Sequence, residues 1–165
     1  VAFPTVNFNS IHLLRHMASD FATIKTTMRH VLDWSTFVNT HNVDWTFVQK
    51  VVFEANMLRF LNALNGICVN YLGYPSEKFP TFDDTYSVDL RVLKDILHPE
   101  FDEELSNHYP KQLGARVCYI LKKTHRMWAN RWKYQMVYDE SFLESYMSLS
   151  SRRIKMENQK KVNIL

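Results

Sequence analysis

A chain of 165 residues with 46% hydrophobic, 14% aromatic and 22% charged residues is long enough for a sizeable core and far from the composition of a disordered chain. Its net charge of +3 is too small to imply a polyanion partner unless the cations are gathered in one place. Three isolated glycines exclude, within this chain, the clustered-glycine loops that cradle dinucleotides or nucleoside triphosphates.

One periodicity runs through the sequence. Apolar residues recur at three- and four-residue spacing over Phe8 to Asp20, Ile24 to Asn39, Asp44 to Ala55, Asn56 to Leu72, Ser87 to Leu97, Lys111 to Tyr134 and Ser141 to Ser150. These segments predict an all-α bundle of about seven helices with no sheet, the sixth being the longest. Asp44 and Asn56 suit N-caps, and Gly73 with Pro75 closes the fourth helix. The stretch "GYPSEKFPTFDDTY" reads as a linker over 75–85. It divides a single domain, 1–165, into a front half (1–74) and a back half (86–150), followed by a polar tail (151–165).

Some function classes fall away at this level. Nucleophile elbows and H-E-x-x-H zinc sites are absent, and Glu100 with Asp102 in "PEFDEE" reads as a solvated loop. Cys68 and Cys118 lie on apolar patterns without C-x-x-C spacing and read as reduced, buried thiols, which suits a cytoplasmic protein. The longest apolar run, "MLRFLNALNGICVNYLG", is interrupted by Arg59 and by asparagines and glycine, so no membrane span is expected. The chain begins at Val1, not methionine, and reads as a piece of a longer protein.

Two constellations remain. In the first helix Leu13, Leu14, Met17 and Phe21 gather on one side, leaving His12, His16 and Ser19 on another. In the second, Ile24, Met28, Val31, Leu32, Ser35 and Val38 form the expected buried side, leaving Arg29, Asp33 and Thr36 opposite. The bland account is a solvated face with an Arg29–Asp33 ion pair. The sharper one turns His16, Arg29, Asp33 and His12 toward a ligand or another domain. The sixth helix holds the second constellation: Lys111, Arg116, Lys122, Lys123, Arg126, Arg131 and Lys133, with no acidic residue before Tyr138. Lys111, Lys122, Arg126 and Lys133 share one arc of a continuous helix. Arg131 falls on the apolar side and needs a phosphate or carboxylate partner unless it snorkels past Trp128. Interleaved with Tyr119, Trp132 and Tyr134, the basic run could hold phosphates or single-stranded nucleic acid, but such a run is more often a solvated face with its aromatics in the core.

A family resemblance rests on the order of several short motifs. They are the proline-led helix from Asn9 to His16, "MRHVLDW" from Met28 to Trp34, Asp44 with Trp45 opening the third helix, "NYLGYP" from Asn70 to Pro75, and "ANRWKY" from Ala129 to Tyr134. In this order they resemble the helical half of the uncharacterised nucleotidyltransferase family of the polymerase β superfamily. Members of that family carry a "GS" turn and paired aspartates on a preceding small sheet, which hold magnesium and a nucleoside triphosphate. That half has no counterpart in this sequence, the "GIGLR" entry to the second helix reads "TIKTTMR", and an expected glycine-rich stretch reads "LHPEFDEE". The resemblance implies a carboxy-terminal helical part that is not catalytic by itself. Its partner would be an amino-terminal catalytic domain of the same polypeptide. His12, His16, Arg29 and Asp33 would then face nucleotide or acceptor, with Arg126, Arg131 and Lys133 as a phosphate rim and no metal or cofactor held by this chain itself. The alternatives are a stand-alone helical interaction domain and a small RNA-binding module, the latter from the R-x6-H spacing of Arg91 and His98.

Overall fold

The computed structural model describes residues 4–23, 25–82, 88–100 and 112–139, together with Ser141, Leu143 and Met147. Among them are seven helices and no strand: α1 (Val6–Thr23), α2 (Met28–Thr40), α3 (Trp45–Glu54), α4 (Leu58–Asn70), α5 (Asp89–Leu97), α6 (Leu113–Ala129) and α7 (Arg131–Tyr138). The all-α expectation therefore holds for the described residues. The chain divides into two compact units, one of residues 1–104 with 136–138 and one of residues 105–135 with 139–165.

The first unit is organised around α4, eight of whose residues are buried, from Phe60 to Cys68. Leu14, Met17 and Phe21 of α1 are buried in the same unit, and the Phe21 and Phe60 rings lie 5.3 Å apart. Val31, Trp34 and Val38 of α2, Val48 and Val52 of α3, and Val92 and Ile96 of α5 complete the core. α2 differs from expectation, because Trp34 is fully buried while Leu32 is 46% exposed. The indole accounts for the exchange. Its Nε1–H donates to Asn65 Oδ1 of α4 at 3.1 Å, so the large ring can enter the core without losing its polar partner.

The segment after α4 is bound to the first unit and does not hang free as a linker. Phe79 is buried, Asn65 Nδ2 donates to the Pro80 carbonyl at 2.8 Å, and the Phe82 amide donates to Asn62 Oδ1 at 3.0 Å. Lys78 Nζ donates to the backbone carbonyl and side-chain oxygen of Asn39. Across this segment α5 packs on α4, where Asn70 Nδ2 donates to the buried Asp89 carboxylate at 2.8 Å.

Asp44 is the N-cap of α3, its Oδ1 accepting from the Phe47 amide at 3.0 Å. Asn56 is not a cap of α4. It takes the left-handed conformation at φ 57°, which asparagine tolerates better than most residues, and Met57 precedes the helix instead. The expected long sixth helix is two helices, so α1 with 18 residues is the longest described, ahead of α6 with 17. The break falls at Asn130, whose amide donates to the carbonyls of Arg126 and Trp128, and whose own carbonyl accepts from Lys133 to begin α7. Ile24, Lys111 and most of the expected helix over 141–150 lie outside the described residues.

Both cysteines are free, but only Cys68 is buried, and Cys118 on α6 is exposed. Burial pushes the Cys68 thiol up from an ordinary 9.0 to about 12. The native state therefore keeps this proton after the unfolded chain has lost it, and stability falls as the pH rises from about 9 toward 12. A maleimide at about pH 8 is expected to label Cys118 alone in the folded protein and both cysteines in denaturant. Mass spectrometry after quenching reads the count, and rapid native labelling of Cys68 would contradict the packing of α4.

Candidate functional site

The polar faces of α1 and α2 meet because the short connection between them is pinned from below. Thr26 is buried and its hydroxyl donates to the Met17 carbonyl at 3.1 Å, drawing the start of α2 against α1. Thr27 then opens α2 in a reciprocal cap with His30, the Thr27 amide donating to His30 Nδ1 at 3.2 Å. With Nδ1 accepting, the neutral His30 ring carries its proton on Nε2, which remains a donor for something else.

The result is a row of rings across the two helices. Phe8 and His12 stack with centroids 6.0 Å apart, His12 meets His16 edge-on at 6.5 Å, and His16 lies 6.0 Å from His30. His16 Nδ1 is 3.1 Å from Asp20 Oδ2, one turn further along α1. Arg29 Nε is 3.9 Å from Asp33 Oδ2, with the two side chains 87% and 56% exposed. Such a pair contributes a few tenths of a kcal/mol at most, roughly 0–0.5, so it orients the guanidinium more than it stabilises the helix.

His12, His16, Arg29 and Asp33 are thus all on the surface, and the structure links the two helices through His16 and His30. Asp20 and His30 escaped the sequence reading. Asp20 was detectable as the carboxylate four residues after His16. His30 was detectable only as the third residue after the Thr27 cap, an unusual place for an imidazole to serve as the acceptor.

The basic constellation is dispersed by the break at Asn130. Arg131 is exposed and lies over the Trp128 ring, 4.4 Å from its centroid, with Nη1 donating to the Trp128 carbonyl at 2.9 Å. It satisfies itself on the tryptophan, as a cation over an aromatic face does, without a phosphate or carboxylate. Lys133 is 5% exposed and its Nζ lies 5.8 Å from the Trp132 centroid, so it does not line an open rim. Arg126 is half-buried and Lys122 exposed. The single arc drawn for a continuous helix is not kept, since the helix is interrupted at Asn130 and Lys133 is buried.

No family model, curated protein or solved structure matches the chain.

The residues of the motifs quoted above divide into two kinds. Trp34, Asp44, Asn70 and Gly73 are occupied with the fold: a buried indole, an N-cap, a partner for Asp89, and a left-handed residue at φ 74°. His12, His16 and Arg29 belong to the same motifs but bury nothing, and all three are exposed. Arg91 and His98, seven residues apart on α5 and its C-cap, are exposed as well. Among the described residues, no three His, Cys, Asp or Glu side chains are grouped so as to hold a metal ion.

Proposed function

We propose that this chain is the carboxy-terminal helical part of a nucleotidyltransferase of the polymerase β superfamily, lending a polar surface to the substrate cleft of a catalytic domain in the same polypeptide. The observation that carries the reading is the contact of His16 with His30, 6.0 Å between ring centroids, which joins the motif-bearing helices α1 and α2 through polar side chains. Arg29 precedes His30 on α2 and is exposed, its planar fork suited to a phosphate or carboxylate. Asp33 steadies it from the next turn. His16, held by Asp20, and His30, whose Nδ1 accepts from the Thr27 amide, would supply further donors.

The described residues do not fit magnesium, since they gather no set of ligands for it. In this reading the ion and the triphosphate's metal-bound oxygens belong to the catalytic domain, and this chain supplies charge and hydrogen bonds to the nucleotide or the acceptor.

The test is Arg29→Ala in the full-length polypeptide, with nucleotide transfer and thermal unfolding measured side by side. A solvated ion pair would change stability by no more than about 0.5 kcal/mol and leave transfer untouched. A cleft residue loses at least about tenfold in kcat/KM, corresponding to about 1.4 kcal/mol of transition-state stabilisation, at unchanged stability. An unaltered rate would sink the reading.

A further inference from the structure

The first turn of α2 is closed by an acceptor that acid can remove. Glutamate or glutamine is the usual residue three places after a threonine cap, where its side-chain oxygen accepts from the cap's own amide. In this chain His30 holds that place, and its Nδ1 accepts from the Thr27 amide at 3.2 Å. A neutral imidazole accepts through one lone pair, which is lost when the ring takes up a second proton. Among the acceptors a helix cap can use, only histidine ordinarily loses its lone pair within the physiological range of pH.

We propose that the Thr27–His30 cap is a pH-sensitive latch: protonation of His30 opens the first turn of α2, which carries Arg29, and parts His30 from His16 of α1. The latch works whatever the surface binds, and so goes beyond the reading given above.

The surrounding charges do not hold the latch shut in acid. α1 and α4 pack on α2. α1 brings His12, Arg15, His16 and Asp20, α4 brings Arg59, the connection brings Lys25, and α2 itself adds Arg29 and Asp33. Asp20 and Asp33 are the two carboxylates of this set, and each would favour a charged His30. Both are engaged elsewhere, Asp20 at 3.1 Å from His16 Nδ1 and Asp33 at 3.9 Å from Arg29 Nε. His16, 6.0 Å away between ring centroids, repels His30 once both rings are charged. The helix acts in the same direction, because its first turn is the positive end of the macrodipole. A proton on Nδ1 can be offered to the Thr27 hydroxyl, 3.4 Å away, but the Thr27 amide is then left facing a donor.

The far end of α2 has the opposite chemistry. His41 Nδ1 lies 2.9 Å from the Phe37 carbonyl oxygen, which can only accept, and a cation there meets the negative end of the helix. Acid therefore loosens the Thr27 end alone.

NMR on the whole chain tests this, with water exchange of the amides and the imidazole nitrogen shifts followed from about pH 7.5 to about pH 5.5. At the higher pH the His30 lone pair should be on Nδ1. On acidification the protection of the Thr27 amide, corrected for intrinsic exchange, is expected to fall at least about fivefold, the scale of a lost cap, while Phe21 and Val38 keep theirs. His30→Gln supplies an acceptor that does not titrate and should hold Thr27 protected at both pH values. His16→Gln removes the facing ring but not the latch, and most of the fall should remain. A lone pair on Nε2 at the higher pH, a Thr27 amide equally protected throughout, or a fall that survives His30→Gln would overturn the proposal. A fall abolished by His16→Gln would do so as well, since repulsion between the rings and not the cap would then be its cause.

Discussion

Replacing Trp34 with alanine is expected to destabilise the first unit by about 3–5 kcal/mol, the usual range for removing a large buried aromatic side chain. Three connections converge on this ring. Its indole N–H reaches Asn65 of α4, its face approaches Phe37 one turn away at 6.5 Å, and its edge meets Trp45 of α3 at 6.3 Å. Asn65 in turn holds the Pro80 carbonyl, so the substitution also loosens the segment after α4. Trp34→Phe separates the two contributions. It keeps most of the ring but leaves the Asn65 oxygen without its donor, and it should cost about 1–3 kcal/mol. Urea unfolding followed by circular dichroism measures both. A loss below about 1 kcal/mol for the alanine variant would mean that Trp34 is not the hub drawn here.

Gly66→Leu is the second large effect. Gly66 is buried in the middle of α4, and a Cβ there would sit 3.2 Å from Asp89 Cβ and 3.3 Å from its Oδ2. Asp89 has little room to withdraw, since its carboxylate accepts from Asn70 Nδ2 and from the Leu90 amide, each at 2.8 Å. A leucine at 66 must therefore push α5 away from α4 or break those bonds. The expected cost is about 1–3 kcal/mol, net of the better helix propensity of leucine over glycine. The damage should be local to α5. Hydrogen exchange is expected to accelerate at Val92 and Ile96 before it does so at Leu14 and Phe21 of α1, and uniform acceleration would argue against the contact.

What could be read from the sequence was local. The stripe of Leu14, Met17 and Phe21 and the cap at Asp44 need only one helix and its neighbours in the chain, and both are where periodicity and capping rules put them. Arg29 with Asp33 is of the same kind, an i, i+4 pair. Trp34 was missed because Leu32 and Trp34 flank Val31 on opposite sides of the helix, and only the distant Asn65 decides which of them turns inward. The break at Asn130 was missed because "WANRW" contains neither glycine nor proline. Lys133, drawn on an open arc with Lys122 and Arg126, is buried. The His16–His30 contact was beyond reach for a similar reason: it depends on Thr26 anchoring the connection to Met17, a bond between residues nine apart that no repeat announces.

Asn56 and Gly73, the left-handed residues at φ 57° and 74°, stand just outside the two ends of α4. A Cβ at Gly73 would meet nothing within 4 Å, so the demand at that position is for handedness and not for room. The most deeply buried helix among the described residues is entered and left through corners of inverted chirality. Relatives that diverge in every surface residue should still be confined to glycine or asparagine there, whatever they bind. A glycine recurring in "NYLGYP" is then a signature of descent and of chain direction.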